Sequence, residues 1–174
     1  SVRFATVSFM DWLMTDGRYQ LKPNLPYVPG TDASGLVVSV GENVTRFSKG
    51  DRVACSTWHG AYAEVMAAPE SSCCHVPDGV SDLAAANIIY SYGSAHYGLI
   101  SRAGLSTGET LLVTGATGGV GLAAIEIGKI LGAKVIAGVG SEKKRDLALF
   151  YGADAVINYS EEDLRKSIKI LTSG

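Results

Sequence analysis

The arrangement of apolar and polar residues divides the chain into two regions with different periodicities. In the first half, short apolar or alternating runs end at glycine-containing turns, which predicts β-strands. These strands are expected at residues 35–41, 52–55 and 60–66. A helical turn is expected at 11–14, and Pro23, Pro26 and Pro29 favour an extended loop after it. Several short strands separated by turns indicate a small all-β module.

From about residue 80 the pattern changes to helices that alternate with apolar strands. Ser81 can cap a helix over 82–86, and a second helical stretch is expected at 94–102. Beyond these, strands are predicted at 110–114, 133–137 and 155–158, and helices at 120–131, 142–150 (capped by Ser141) and 161–171. This βαβαβα order is typical of the first half of a doubly wound parallel sheet.

Composition and charge argue against a nucleic-acid-binding, membrane or disulfide-linked protein. Of the 174 residues 47% are hydrophobic, and the net charge is −2 with no basic stripe, so nucleic-acid binding is not favoured. The chain shows neither an apolar run of about 20 residues nor a signal-peptide pattern, so no membrane partner is expected. Cys55, Cys73 and Cys74 form a poor disulfide framework, and we expect free thiols in a reducing, cytoplasmic compartment.

The turn after the strand at 110–114 is rich in glycine. It has the spacing Gly-x-x-Gly-x-x-Gly and lies between a buried strand and the start of a helix. Glycines let the backbone turn tightly and approach a pyrophosphate, and the amides at the helix start bind its charge. We therefore predict a dinucleotide site. Its expected contacts are Gly115, Ala116, Gly118, Gly119, Val120 and Gly121.

The end of the next strand indicates which dinucleotide binds. An NAD site usually has an acidic residue at this point, but here the strand ends at Gly140 and Ser141. Lys143, Lys144 and Arg145 follow closely, and cations at this point suit a 2′-phosphate. We expect NADPH. The alternative is that these cations form a solvated helix face.

Several segments, in order and with matching gaps, resemble one family. Gly60-Ala61-Tyr62-Ala63-Glu64 is one, and the others lie at 7–11, 17–19, 26–35, 40–44, 50–53, 118–121 and 152–159. With these segments the chain resembles the quinone oxidoreductase (zeta-crystallin-like) branch of the medium-chain dehydrogenase/reductase superfamily. The resemblance implies an α/β fold: a partial GroES-like β domain at 1–92, then the first half of a Rossmann doubly wound parallel sheet at 93–174.

The resemblance also implies an activity and several residue roles. Members of this branch transfer hydride from NADPH to a quinone or activated alkene in a cleft between the domains. By position, Ser94 is similar to a residue near the nicotinamide, and Lys144 and Tyr159 to contacts of the 2′-phosphate. Tyr19 is similar to a tyrosine of the substrate cleft. A homodimer is implied for the full-length protein.

Other positions depart from the family pattern. Quinone reductases usually carry Asn at the position of Ser8, and zinc-dependent relatives carry Cys there and His-Glu where this chain has Thr31 and Asp32. We therefore expect no zinc. An opening strand pair and a second Rossmann half are also missing, so a truncated sequence is expected.

Hydride transfer needs no nucleophile, but negative charge develops on the acceptor oxygen. The hydroxyls of Ser8 and Tyr19 are the candidate catalytic donors. Two alternatives stay open. An enoyl reductase would prefer acyl thioesters to quinones, and a non-catalytic relative would bind NADPH without turnover.

Overall fold

The computed structural model describes residues 1–173 and separates the chain into two compact units, Ser1–Tyr90 and Ser91–Gly174. The first unit contains an antiparallel sheet and the second a parallel sheet. The predicted α/β class, with a β module followed by alternating β and α elements, is confirmed. Among the described residues, no helix is both long and apolar enough to cross a membrane.

The first unit is built on four antiparallel strands in sequential order. This unit also has two short α-helices, one near the start and one near the end of its sequence. The elements are β1 (Val2–Ala5), α1 (Phe9–Thr15), β2 (Asp32–Leu36), β3 (Arg52–Ser56), β4 (Cys73–His75) and α2 (Asp82–Ala85). Alternating side chains place Ala33 and Cys55 in one apolar cluster, whereas Ala54 packs with Val76 and Ala85 in another.

Asp82, at the start of α2, joins this helix to two strands. Its carboxylate accepts hydrogen bonds from Arg3 of β1 at 2.6 Å and from Arg52 of β3 at 3.0 and 2.8 Å. Ser81 caps the helix by accepting a hydrogen bond from the Ala84 amide at 3.2 Å, as predicted. The charge cluster therefore fixes α2 against the sheet.

The second unit has three parallel strands in the order β5-β6-β7, and β6 lies between the other two. Its elements are β5 (Thr110–Thr114), α4 (Gly119–Ile130), β6 (Lys134–Val139), α5 (Arg145–Phe150), β7 (Ala155–Asn158) and α6 (Leu164–Thr172). Five residues of β6, Val135–Val139, are buried. A continuous apolar strand is typical of a parallel sheet covered on both faces.

Three predicted elements differ from the structure. Residues 60–66 form no strand, because the amides of Gly60 and Ala61 bond to the carbonyls of Val28 and Gly30 in a neighbouring loop. The strand predicted at 35–41 ends at Leu36. The helical stretch at 94–102 is α-helical only in α3 (Ser94–His96), and π-helical segments, Ile88–Gly93 and Tyr97–Arg102, adjoin it.

Two helix starts were also placed wrongly. Ser141 stands at the N-cap position of a 3₁₀ turn, Glu142–Lys144, but its side chain makes no capping hydrogen bond. The last helix begins at Leu164 rather than 161, because the Asp163 carboxylate accepts a hydrogen bond from the Lys166 amide. Asp is among the strongest N-cap residues.

The Asp82 cluster predicts a pH-dependent contribution to stability. Hydrogen bonds from Arg3 and Arg52 hold the pKa of Asp82 below its ordinary value of 3.8. The charged carboxylate therefore stabilises the fold above that value, and this contribution disappears as pH falls through the lowered folded pKa. We expect Asp82→Asn to reduce the free energy of unfolding at neutral pH, with a difference from wild type that shrinks below about pH 4.

Urea unfolding at several pH values measures this effect. Asp16→Asn is the matched control, because within residues 1–173 the exposed Asp16 forms an ion pair with Arg18 alone, at 3.5 Å. A difference between D82N and wild type that stays constant from neutral to acid pH would contradict the assignment.

Candidate functional site

The loop after β5 is a compact turn fixed between two strands. Gly115 adopts a positive φ of 60°, which a residue with a side chain rarely tolerates. The buried Ala116 donates its amide to the Gly138 carbonyl at 3.1 Å, and Gly118 donates to the Gly115 carbonyl at 3.0 Å. These bonds orient the start of α4 at the carboxyl end of β5.

Two glycines allow α4 to lie close to its surroundings. A Cβ atom at Gly121 would lie 2.6 Å from the Gly115 carbonyl oxygen and 2.8 Å from backbone atoms of Ala116. At Gly119 it would lie 2.8 Å from Oγ of the buried Ser91. Both distances are shorter than real Cβ contacts, so the glycines are needed for packing as well as for the turn.

The N-terminus of α4 has no side-chain cap. Its N-cap residue is Gly118, whereas α1, α2 and α6 are capped by the side chains of Ser8, Ser81 and Asp163. The amides of the first helical turn, which starts at Gly119, have no partner within a helix. Together with the helix dipole, they form a site that favours an anion such as a phosphate.

Two glycines at the end of β6 lie beside the aromatic ring of Tyr159. A Cβ at Gly140 would lie 3.2 Å from the Tyr159 hydroxyl, and one at Gly138 would lie 3.4 Å from the same ring. The Tyr159 amide donates to the Val139 carbonyl at 3.1 Å, and Ser160 Oγ donates to the Gly140 carbonyl at 2.9 Å. The ring is 43% exposed and can contact a ligand.

The three cations after β6 differ in whether acidic side chains bind them. Arg145 is occupied, because it forms an ion pair with Glu142, lies 3.8 Å from Glu162 and donates to the Val156 carbonyl. Lys143 and Lys144 are exposed and take part in none of the ion pairs of residues 1–173. Of the predicted 2′-phosphate cations, the lysines are therefore available and the arginine is not.

Ser94 begins α3 and is exposed. The next residue, Ala95, is buried in the same apolar cluster as Ala116 and Ala123. The helix that carries Ser94 is therefore packed against α4, in the same unit as the glycine-rich turn.

Ser8 is the N-cap residue of α1 and forms a capping box with Asp11. Its hydroxyl donates to Asp11 Oδ2 at 2.7 Å and accepts from the Asp11 amide at 3.2 Å. The Ser8 hydroxyl could therefore donate to a substrate only by giving up its bond to Asp11. Its remaining lone pair is available to accept a hydrogen bond.

Tyr19 lines a cavity of about 560 Å³ within the first unit. Trp58 and Tyr90 contribute two further aromatic rings, and His59 and Met10 also line the space. Burial raises the pKa of Tyr90, and nearby Tyr19 adds to this shift. Ser8 is not among the residues that line this cavity, so the structure does not bring the two candidate donors together there.

Sequence reasoning missed a buried polar cluster around α1. Asp11 is 4% exposed and also accepts from the Tyr62 hydroxyl at 3.0 Å, while Asp32 is fully buried and accepts from Thr31 Oγ1 at 2.9 Å. Each carboxylate has one oxygen without a partner. Burial raises the pKa of Asp32, and burial followed by the charge of Asp11 raises that of Tyr62 to about 12. The Ser-x-x-Asp spacing of a capping box was the available signal.

Two family models match the chain. The alcohol dehydrogenase GroES-like domain matches residues 1–78, and the zinc-binding dehydrogenase model matches residues 119–174. The quinone oxidoreductase-like protein 2 homolog of Nematostella vectensis is 41% identical over 100% of this chain and 48% of its own length. Quinone oxidoreductase of Homo sapiens is 38% identical over 94% of this chain and 50% of its own length.

Solved structures agree with these matches. A probable oxidoreductase from Mycobacterium abscessus has a TM-score of 0.93 and 40% identity, over 99% of this chain and 55% of that chain. Escherichia coli quinone oxidoreductase complexed with NADPH has a TM-score of 0.89 and 36% identity, over 97% of this chain and 52% of that chain. The chain therefore carries the two domains of the medium-chain dehydrogenase/reductase superfamily, and relatives named quinone oxidoreductase match 94% or more of its length.

The family assignment gives names to the two sheets. The antiparallel sheet is GroES-like and the parallel three-stranded sheet is Rossmann-like, as the resemblance implied. The chain spans about half the length of the curated relatives that it matches. The roles of the individual site residues remain predictions.

The second family model is described as a zinc-binding dehydrogenase, so the side chains available as ligands decide whether this chain could bind zinc. At the three positions that the resemblance implies for the ligands of zinc-dependent relatives, this chain has Ser8, Thr31 and Asp32, which supply two hydroxyls and one buried carboxylate. Both hydroxyls bond to neighbouring carboxylates. No group of three His, Cys, Asp or Glu side chains suited to a metal occurs in residues 1–173. These donors do not fit the Cys and His ligand sets typical of zinc.

The packing of α4 predicts that alanine substitution at two different glycines has very different effects on stability. Gly121→Ala should force α4 away from the loop at Gly115, because the added methyl would lie 2.6 Å from a carbonyl oxygen. We expect a loss of about 1–3 kcal/mol in the free energy of unfolding, as for other overpacked sites. Denaturant unfolding followed by circular dichroism measures the loss.

Gly98→Ala is the control for this experiment. Gly98 lies in a helical segment and has open space where a Cβ would be, without a positive φ. Equal stability losses for the two variants would contradict the packing argument.

Proposed function

We propose that this chain forms part of a zinc-independent oxidoreductase that transfers hydride from NADPH to a quinone or an activated alkene. The observation that carries the proposal is the N-terminus of α4, which has no side-chain cap and follows a glycine-rich turn packed closely against Gly121. Such a terminus is suited to a dinucleotide pyrophosphate. The relatives named quinone oxidoreductase support the reaction class.

The cofactor site would have three parts. The pyrophosphate would bind at the glycine-rich turn, and the adenosine end at the small residues closing β6, with Lys144 and Tyr159 at the 2′-phosphate. Ser94 would lie near the nicotinamide. The proposed cofactor residues are thus Ser94, Gly115, Ala116, Gly118, Gly119, Val120, Gly121, Gly140, Ser141, Lys144 and Tyr159. The proposed domains are 1–92 and 93–174.

Three observations favour NADPH over NADH. The strand β6 is followed by Gly140 and Ser141 instead of an acidic residue, and Ser141 Oγ is not used as a helix cap. Lys144 is exposed, and Glu142, two residues before it, forms an ion pair with Arg145. The Escherichia coli relative was solved with NADPH. A 2′-phosphate would meet positive charge here and little competing negative charge.

When bound, NADPH supplies the hydride, so the protein has to orient the acceptor and stabilise charge on its oxygen. The aromatic cavity around Tyr19 suits a flat, apolar acceptor, and the Tyr19 hydroxyl would donate a hydrogen bond to the acceptor oxygen. Ser8, whose proton is directed to Asp11, would instead accept a hydrogen bond from the cofactor amide or substrate. A cytoplasmic location and a homodimer remain predictions.

The direct test is NADPH oxidation by the protein that contains this chain, with 1,2- and 1,4-quinones and a 2-alkenal as acceptors. We expect turnover with NADPH and a quinone. Preference for an acyl thioester would identify an enoyl reductase, and tight NADPH binding without turnover on any acceptor would identify a non-catalytic relative. Either result would contradict the proposed reaction.

The 2′-phosphate assignment predicts a selective effect of Lys144→Ala. A charge-assisted hydrogen bond contributes about 1.5–3 kcal/mol, so NADPH affinity should fall roughly 10- to 100-fold while NADH affinity is unchanged. Fluorescence titration with each cofactor measures both values. Lys166→Ala, which removes an exposed lysine from α6, is the control and should change neither. Equal losses for NADPH and NADH in K144A would refute the assignment.

A further inference from the structure

Two thiols face each other across β3 and β4. Cys55 is directly opposite Cys73 in the antiparallel register. The Val76 amide donates to the Arg52 carbonyl at 2.9 Å, which identifies Arg52 and Val76 as a hydrogen-bonded pair. Because hydrogen-bonded and non-hydrogen-bonded pairs alternate, Cys55 and Cys73 form a non-hydrogen-bonded pair, the arrangement with Cα atoms only about 4.5 Å apart and the closest side chains.

A third sulfur atom lies on the same face of the sheet. Met66 Sδ is 3.7 Å from Cys55 Sγ, and both Met66 and Cys73 pack against the cluster that contains Cys55. Cys74 belongs to the cluster of Ala54 on the opposite face, because neighbouring strand residues alternate. Two thiols and one thioether therefore lie on one face of the sheet, and the adjacent thiol is excluded. Cys73 Sγ donates to the Pro69 carbonyl at 3.4 Å, a bond that metal binding would replace.

The chemistry of these sulfur atoms selects a class of ligand. Thiolates and thioethers are soft donors and favour Cu(I) among biological metal ions. Two sulfur atoms bound to one ion at about 2.3 Å each lie about 4 Å apart in a trigonal site, close to the observed separation of Cys55 and Met66. Zinc would require a tetrahedral set of four ligands, which this group does not supply.

We propose that Cys55, Cys73 and Met66 form a binding site for one soft monovalent cation, Cu(I) or Ag(I). As each thiol binds, its sulfur–hydrogen bond breaks and a proton is released, so two thiolates, a neutral thioether and the cation carry a net charge of −1. Arg46 lies beside the site and donates to the Cys73 carbonyl at 3.4 Å. Its charge opposes the negative charge of Glu70, which lies near Cys73 as well.

The three sulfur residues also share access to open space. Cys55, Met66 and Cys73 all line a cavity of about 610 Å³ within the first unit. An ion could therefore reach the sulfur atoms without unfolding of the sheet. The site is independent of the proposed nucleotide site, since it rests on residues of β3, β4 and the intervening loop alone.

The alternative role for Cys55 and Cys73 is that of a thiol redox sensor. Burial raises the pKa of the Cys55 thiol to about 11 and also raises that of Cys73. Peroxides and disulfides react with the thiolate, so both thiols should be slow redox sensors. Metal binding also needs both thiols deprotonated and releases their protons, so it is the geometry of the three sulfur atoms, and not the thiol pKa values, that favours a metal ion.

The test is an anaerobic titration of the protein with Cu(I) against a chromophoric Cu(I) chelator, repeated with Ag(I), which has no accessible redox chemistry. We expect one equivalent to be retained. Met66→Leu, which keeps the volume but removes the sulfur, and Cys73→Ser should each weaken binding at least about tenfold. Cys74→Ser is the matched control and should bind like wild type. Circular dichroism confirms that each variant is folded.

Several results would overturn the site. These are failure to retain Cu(I) against the chelator, an equal loss in C74S and C73S, or a folded M66L variant that binds as wild type does. X-ray absorption of the Cu(I) complex should show sulfur ligands only, and nitrogen or oxygen ligands would refute the assignment. Formation of a Cys55–Cys73 disulfide with oxidised glutathione, without Cu(I) retention, would assign the pair to redox chemistry instead.

Discussion

The close approach of α4 to the loop after β5 is the constraint on which the candidate cofactor site depends. A Cβ at Gly121 would lie 2.6 Å from the Gly115 carbonyl oxygen, and one at Gly119 would lie 2.8 Å from Ser91 Oγ, so a side chain at either position would force a shift. This contact orients the first-turn amides of α4 at the end of the sheet, where no side chain caps them. The candidate anion site is therefore a product of the packing of α4 against the loop that follows β5.

The rest of the second unit complements this site. The small residues that close β6 leave room beside the Tyr159 ring, and Arg145 is held by acidic neighbours while Lys144 extends into solvent. In the first unit, the buried carboxylate of Asp11 accepts hydrogen bonds from both Ser8 and Tyr62, so both hydroxyls are held in fixed orientations. Tyr19 lies apart from this network, in an aromatic cavity.

The sequence predicted the second unit better than the first, for a physical reason. The strands β5 and β7 were placed with their observed bounds, because continuous apolar runs between helices are strong signals. Residues 60–66 alternate like a strand but bond to the loop at 28–30, a long-range pairing that periodicity cannot reveal. The absent Ser141 cap and the Asp163 cap depend on local geometry that residue type alone does not determine.

The candidate site was predicted in outline and missed in detail. The glycine-rich turn was found from its spacing, but the contact of Gly119 with Ser91 and the engagement of Arg145 by two acids follow only from the fold. The buried carboxylates of Asp11 and Asp32 were also missed: the capping-box spacing could have indicated the bond of Asp11 to Ser8, but residue type alone does not reveal burial. Comparison with relatives established the family and left the residue roles as proposals.

The most direct test of the central claim is an amide NMR titration of this chain with NADPH. The account predicts that the largest shift changes occur at Gly119, Val120 and Gly121, with a second group at Gly140 and Tyr159. Saturating NADPH that leaves these amides unchanged, or shifts only residues of another surface, would contradict the assignment of the α4 N-terminus as the cofactor site.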